Sequence, residues 1–450
     1  MREVLIRDTL SGKARALAPR EPGKVGIYAC GPTVYSRVHV GNARPYVVFM
    51  LLRRLLVELG YEAKLVINVT DINDKIYDAA RAAGIPSAEH AREMTRLYVA
   101  DTEALGIGRP DAEPLATETI PEIVALIEAL IEKGHAYESG GDVYFSVRSF
   151  DGYGKLSNRE PDAMDQGEEA GTLSLKRNAL DFALWKAQKP GEDEAWESPW
   201  GLGRPGWHIE CSAMAEKLLG ANFEIHGGGS DLVFPHHENE IAQSEAARDE
   251  PLARIWMHNG MIRIADEKMS KSVGNIFQLA EAIEKYGPEA IVAYLISGHY
   301  RQPLEFSAQA LAESCARLER IRNFLRSDPI EGADGFVAER QEEFVGALCD
   351  DFNTPRAFAA TFELITEGNR RPLPGAHAAL ARMLHLLGLE ALLVHNDSGD
   401  AEAQALLTER EEARAARDFE RADGVRDRLT ELGWEVRDSA EGPRLIRRSG

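Results

Sequence analysis

From Lys24 to Ala29 the chain reads KVGIYA, a short apolar run closed by the turn residues Cys30-Gly31-Pro32-Thr33. A run of this length with such a boundary predicts a buried β-strand. A helix is predicted next, opening near His39 to Asn42 and running through VVFMLLRRLLVELG to Gly60, because glycine just past the last periodic residue is a common stop. KLVINVTD, residues 64–71, is a second buried-strand candidate, and helical patterns follow to about residue 134. Strand, helix, strand in that order predicts a parallel α/β unit, whose ligands sit at the carboxyl ends of the strands. Cys30 falls at such an end, and so do Thr70 and Asp71.

The pattern changes at Ala136, where AYESGGDVYFSV reads as a hairpin and a polar, acidic stretch continues to about Asn178. Residues 136–179 are therefore expected to be an insertion within an α/β domain built from 1–135 and 180–275. Beyond Pro288 the pattern is almost wholly helical, with breaks near 328–335, 370–375 and 395–400, the last being the linker-like HNDSGD. Residues 401–450 offer Arg-rich helices and then two short strands around Trp434 and Leu445. The expected fold is a Rossmann-like parallel-sheet α/β catalytic domain with an insertion, then a helical bundle and a small mixed C-terminal domain.

Composition narrows the class. A chain of 450 residues with 44% apolar content can bury a large core and divide into several domains. The start, MREVLIRDTL, has neither a signal core nor an Arg-rich transit pattern, and no apolar run approaches the length of about 18 residues that a membrane span needs. A soluble, cytoplasmic protein is expected. Four cysteines are too few for a disulfide scaffold of this size. The formal charge of -21 argues against general adhesion to nucleic acid, so such a partner would need local basic patches.

Candidate chemistry lies in three places. In PHHENE, His236 and Glu240 stand four apart and project from one face of a helix, whereas His237 and Glu238 are expected to point elsewhere. Alone, such a pair is more often a solvated surface pair. Cys211, in GWHIECSAM near the start of another helix, and Cys30, at the end of the first strand, could converge with them. Two thiolates, an imidazole and a carboxylate form a set suited to zinc. Cys315 and Cys349 lie in amphipathic runs without such neighbours and are expected to be packed. The second place is His39-Val40-Gly41-Asn42, which opens a helix directly after the first strand and turn, a ready anion site. The third is Lys268-Met269-Ser270-Lys271-Ser272, whose two ammonium groups can neutralise charge on phosphates.

The last two stretches resemble the HIGH and KMSKS signatures of class I aminoacyl-tRNA synthetases. YACGPTVYSRVHVGNAR, NVTDINDKI, GRPGWHIECSAM, HGGGSDLVFPHHENEIAQSEA and WMHNGMIRIADEKMSKSVGN resemble the cysteinyl-tRNA synthetase family, closely over residues 20–300 and loosely beyond. That resemblance implies activation of L-cysteine by ATP to cysteinyl-adenylate and transfer to tRNA(Cys). It also implies one zinc ion per chain at Cys30, Cys211, His236 and Glu240, and magnesium accompanying ATP. Four protein ligands normally close a zinc site, so substrate binding needs five-coordination or a weak ligand, for which Glu240 is the candidate. His39 and Asn42 are then expected on the α-phosphate and Lys268 and Lys271 on the departing pyrophosphate. Gly229 and Asp231 are expected at the adenosine, and Gly31, Thr33, Thr70, Trp207 and His226 around the substrate. Asn42 departs from the general signature, in which a second histidine often stands. Residues 276–396 become a stem-contact region and bundle, and 401–450 an anticodon-binding domain in which Arg414, Arg417, Arg421, Arg426, Arg428 and a base-stacking Trp434 are candidates. Each also has a plain reading, as a salt-bridged helix face and a core tryptophan. A monomer is the default. The rival readings are a mycothiol-type ligase with an amino-sugar acceptor and a non-catalytic zinc-binding paralogue.

Overall fold

The computed structural model describes residues 2–160, 174–264, 278–393, 401–439 and 442–447. They form two compact units, Met1–Leu389 and Glu390–Gly450.

The core of the first unit is a four-stranded sheet in the order Ala253–Asn259, Phe223–Gly229, Lys24–Ala29, Glu62–Ile67, with every neighbouring pair parallel. Burial on both faces explains why these strands read as apolar runs and not as alternating patterns. Lys24–Ala29 leads through the helix Val40–Glu58 to Glu62–Ile67 on one side. Phe223–Gly229 leads through the helix His236–Arg248 to Ala253–Asn259 on the other. The two halves therefore wind outward from the adjacent central strands, and the crevice beyond those strands' carboxyl ends is a topological switch point, where ligands bind in open α/β sheets. The pairing of Ala29 with Gly227 fixes the register there, and the Cys30 N–H donates across it to the Gly227 carbonyl at 2.9 Å.

A second, antiparallel sheet takes the order Ala136–Ser139, Asp142–Phe145, Phe182–Ala187, Gly203–Pro205. It extends past residue 179 because Phe182–Ala187 completes the layer begun by the hairpin. The Phe145 and Phe182 rings stack 5.0 Å apart in its core. Among the described residues from 278 to 389, six α-helices follow, Leu279–Tyr286, Pro288–Leu295, Ala308–Leu325, Gly335–Cys349, Thr354–Gly368 and Ala376–Leu386. Two expected breaks fall between them, while the third, at 395–400, reaches into residues 394–400, outside the described ones.

The second unit pairs the helices Ala401–Ala415 and Phe419–Glu431 with an antiparallel hairpin, Trp434–Ser439 and Gly442–Arg447. Its core holds Ala403, Leu406, Leu407, Val425, Leu429, Trp434 and Leu445. No helix among the described residues is long and apolar enough to cross a membrane.

Candidate functional site

At the switch point the first strand delivers Cys30, and the helix Trp207–Leu219 delivers Cys211 in its second turn. The helix His236–Arg248 delivers His236 as its first residue and Glu240 one turn on. The ligand atoms of these four residues all lie within 4.8 Å of one another. Glu240 Oε1 stands 3.2 Å from His236 Nε2 and accepts from Cys30 Sγ at 3.5 Å. An overlapping group, Cys30, His226, His237 and Glu240, meets the same distance limit. The first group has the softer donor set, with two sulfurs, and better suits zinc.

Burial pushes the Cys30 thiol well above its ordinary range. The hydrogen bond from Cys30 brings Cys211 down to about 6 despite its burial. Burial opposes a cation at His236, but Glu240 and Cys211 outweigh it and raise the imidazole. The pocket thus already favours one thiolate, the species that ligates a metal.

Three histidines that spacing did not single out support this cluster. His208 Nδ1 lies 3.0 Å from His236 Nδ1, and the Gln243 amide donates to the His208 carbonyl at 3.0 Å. His237 Nε2 lies 3.3 Å from Cys30 Sγ, its Nδ1 lies 2.7 Å from His258 Nε2, and His258 Nδ1 lies 2.7 Å from Thr9 Oγ1. The expectation that His237 points away is therefore corrected: the helix is buried on the flank carrying His237 as well. Glu238 does point away, accepting the Leu156 and Ser157 N–H groups at 3.2 and 2.7 Å. His226 is fully buried, and its Nε2 meets Glu240 Oε2 at 2.9 Å. Its contribution therefore runs through Glu240. Its sequence signal was present in HGGGSD, but its partner depends on the sheet register.

Among the remaining substrate candidates, Gly31 donates its N–H to Asn68 Oδ1 at 2.9 Å. A β-carbon there would lie 1.7 Å from the Asn68 carbonyl oxygen, so only glycine fits. Thr33 and Thr70 sit opposite one another in a parallel bridge. Trp207 is half-exposed at the start of its helix, its ring centroid 4.4 Å from that of His236.

On the nucleotide side, His39 caps the helix Val40–Glu58, and the Asn42 Oδ1 accepts the His39 N–H at 3.1 Å. The amide oxygen of Asn42 is thus used by the cap. Burial lowers the His39 imidazole, against the pull of Asp231, so it acts at neutral pH as a hydrogen-bonding group more than a fixed cation. Gly229 ends its strand, and Asp231 follows in a short 3-10 turn. Lys268 and Lys271 lie outside the described residues.

In the second unit Arg421 pairs with Glu409 at 2.7 Å, Arg414 with Glu411 at 3.8 Å and Arg426 with Asp423 at 3.9 Å. Trp434 is buried.

A doubly wound sheet with an imidazole-capped helix and a glycine-rich turn at its switch point defines a nucleotide-binding α/β enzyme. Solved structures share this fold. A Mycobacterium tuberculosis methionyl-tRNA synthetase in complex with methionyl-adenylate matches with a TM-score of 0.58 and 16% identity, over 82% of this chain and 89% of its own. A leucyl-tRNA synthetase from Agrobacterium radiobacter K84, in a ternary complex, matches with a TM-score of 0.60 and 13% identity, over 84% and 86%. Residues 16–316 match the class I (C) tRNA synthetase catalytic domain, 343–391 the DALR domain and 396–442 the cysteinyl-tRNA ligase anticodon binding domain. The cysteine–tRNA ligase of Desulforudis audaxviator is 45% identical over 98% of this chain and 99% of its own length. That of Symbiobacterium thermophilum is 46% identical over 99% of each. The chain belongs to the cysteine–tRNA ligase family.

Proposed function

We propose that Cys30, Cys211, His236 and Glu240 hold one zinc ion per chain, and that this site selects cysteine for ligation to tRNA(Cys). The observation that carries the reading is the convergence of two buried sulfurs, an imidazole and a carboxylate within 4.8 Å at the switch point. Bound zinc would supply a borderline-soft acceptor for the substrate thiolate, which the harder serine hydroxyl matches poorly. A steric pocket alone separates such near-isosteres weakly. Four protein ligands normally close a zinc site. Glu240 is the ligand suited to yield, because His226 offers its other oxygen a partner at 2.9 Å.

As in its family, the chain catalyses two transfers. The cysteine carboxylate attacks the α-phosphorus of ATP, and the bond to pyrophosphate breaks. A hydroxyl of the tRNA's terminal ribose then takes the cysteinyl group, and AMP leaves. The chain's own work is positioning and charge stabilisation. His39 and Asn42 meet the α-phosphate, with Asp231 and Gly229 at the adenosine and magnesium arriving with ATP. Lys268 and Lys271, by their motif, take the pyrophosphate. Residues 276–396 contact the tRNA stem, and 401–450 read the anticodon. The protein works as a cytoplasmic monomer.

The test offers cysteine and ATP with either tRNA(Cys) or an amino sugar, and follows pyrophosphate exchange and the acylated product. Exchange with cysteinyl-tRNA formation is expected. Acylated sugar alone overturns the tRNA assignment, and absence of exchange overturns the enzymatic one.

A further inference from the structure

Among the described carboxyl groups, Glu210 alone has both oxygens buried without a hydrogen-bond partner. It sits in the first turn of the helix Trp207–Leu219, one residue before Cys211. It is 1% exposed, and neither of its oxygens has a hydrogen-bond partner. The side chains whose fields reach it most strongly are Cys211 and Asp71, with the Thr70 hydroxyl and Arg204 pulling the other way. Thr70 and Asp71 follow the strand Glu62–Ile67, so Glu210 faces the same sheet end as the sulfur cluster. Arg204 is already committed. Its Nη2 binds Asp74 and lies 3.3 Å from Glu192. Both of those are carboxylates, so its Nη2 is taken up without Glu210, while its Nε has no hydrogen-bond partner. A buried carboxylate with no dedicated cation is costly to retain, and its cost is offset once a cation arrives.

From this geometry we infer that Glu210 receives the α-ammonium group of the amino-acid substrate, an inference that rests on the thiol binding at the cluster proposed above. An amino acid brings three groups to the site. The thiol belongs at the Cys30–Cys211 cluster, and the carboxylate must face the nucleotide on the His39 side. The ammonium is left without a receiver, and Glu210 is a buried carboxyl group at that end whose oxygens have no hydrogen-bond partner. Adjacent helix positions diverge by about 100°, which keeps Glu210 out of the ligand set while leaving it one side chain away. Thr70 and Glu210 then form one wall of the pocket, with the threonine hydroxyl orienting the carboxylate.

The test uses two fragments of cysteine on the zinc-loaded enzyme, with calorimetric Kd as the readout. Cysteamine keeps the thiol and ammonium, whereas 3-mercaptopropionate keeps the thiol and carboxylate. In Glu210→Gln, cysteamine should bind about 10-fold or more weakly, as expected for loss of a charged hydrogen bond, while 3-mercaptopropionate binds within about 2-fold of wild type. The KM for cysteine should rise with little change in kcat, and zinc content should be unchanged. Equal weakening of both fragments, or of neither, overturns the inference and leaves the thiol-binding reading intact. Failure of both fragments to bind wild type overturns that reading and this inference with it. Loss of the folded state in Glu210→Gln and Glu210→Asp alike assigns the residue to folding and also overturns it.

Discussion

His226 Nε2 stands 2.9 Å from Glu240 Oε2, while the other oxygen of the same carboxylate faces Cys30 Sγ at 3.5 Å and His236 Nε2 at 3.2 Å. One carboxylate is thus shared between a fully buried imidazole and the candidate metal ligands. The His226 ring is itself fixed by stacking on Trp256, centroids 4.4 Å apart.

Outer partners of this kind commonly change metal affinity by about 10- to 100-fold when removed. His226→Ala is therefore expected to weaken zinc binding within that range while leaving the four ligands in place. Competition with a chromophoric chelator measures the change. An affinity equal to wild type would show that Glu240 does not depend on this contact.

Removing a ligand should be more severe. Cys211→Ser is expected to lose zinc and cysteine activation together, because the sulfur with the lowered pKa of about 6 is the thiolate favoured in the pocket. Metal analysis alongside pyrophosphate exchange checks both. Zinc near one per chain with normal adenylate formation would end the zinc assignment.

The limits of the sequence reading follow from these residues. The strand Lys24–Ala29 and the helix after it were legible because a buried parallel strand and a capped, glycine-stopped helix leave local patterns. His236 and Glu240 were legible from their spacing on one helix. His226 was named only as a substrate neighbour, and neither its contact with Glu240 nor His258 was legible, because these contacts depend on the register of Phe223–Gly229 and Ala253–Asn259 within the sheet. No local pattern encodes that register. His237 was misjudged for a related reason: spacing gives the direction of a side chain from its helix, not what lies on that side.

Glycine at position 41 should be needed for the nucleotide step. A β-carbon there would lie 2.8 Å from the His39 Cε1 atom, so Gly41→Ala must displace the imidazole from its place at the helix start. Adenylate formation is expected to fall by about 10-fold or more, since small misplacements of positioning groups are costly. The melting temperature should change little, because the ring is not part of the apolar core. Single-turnover adenylation against thermal unfolding separates the two effects.

His258 supplies a pH prediction. Burial, helped by His226, holds its imidazole down at about 3, against an ordinary 6.5. The unfolded chain takes up this proton below about pH 6.5, and the folded protein does not until about pH 3. The contribution to stability is therefore complete above pH 6.5 and is lost as pH falls, by about 1.4 kcal/mol per unit. His258→Gln can keep the contacts to Thr9 and His237 without titrating. Urea unfolding at pH 7 and pH 5 should show a loss smaller than in wild type by about 2 kcal/mol. An unchanged loss would place the titration elsewhere.

The two aromatic residues of the second unit should separate stability from RNA recognition. Trp434, a base-stacking candidate from sequence, is buried at 7% exposure in the core with Val425, Leu429 and Leu445, whereas Phe419 is 64% exposed. Phe419 opens its helix directly after Arg417 and the capping Asp418, whose carboxylate accepts the Arg421 N–H at 3.1 Å. An exposed ring beside arginines is the arrangement that stacks on unpaired bases, an interaction worth about 1–3 kcal/mol per base. Phe419→Ala should therefore raise the KM for tRNA by about 5-fold or more, with pyrophosphate exchange and unfolding unchanged. Trp434→Ala should cost about 3–5 kcal/mol of the unit's stability through the cavity it leaves, and its aminoacylation defect should lessen on cooling as the unit refolds. If Trp434→Ala instead keeps wild-type stability while Phe419→Ala charges tRNA normally, the stacking surface of this unit lies elsewhere.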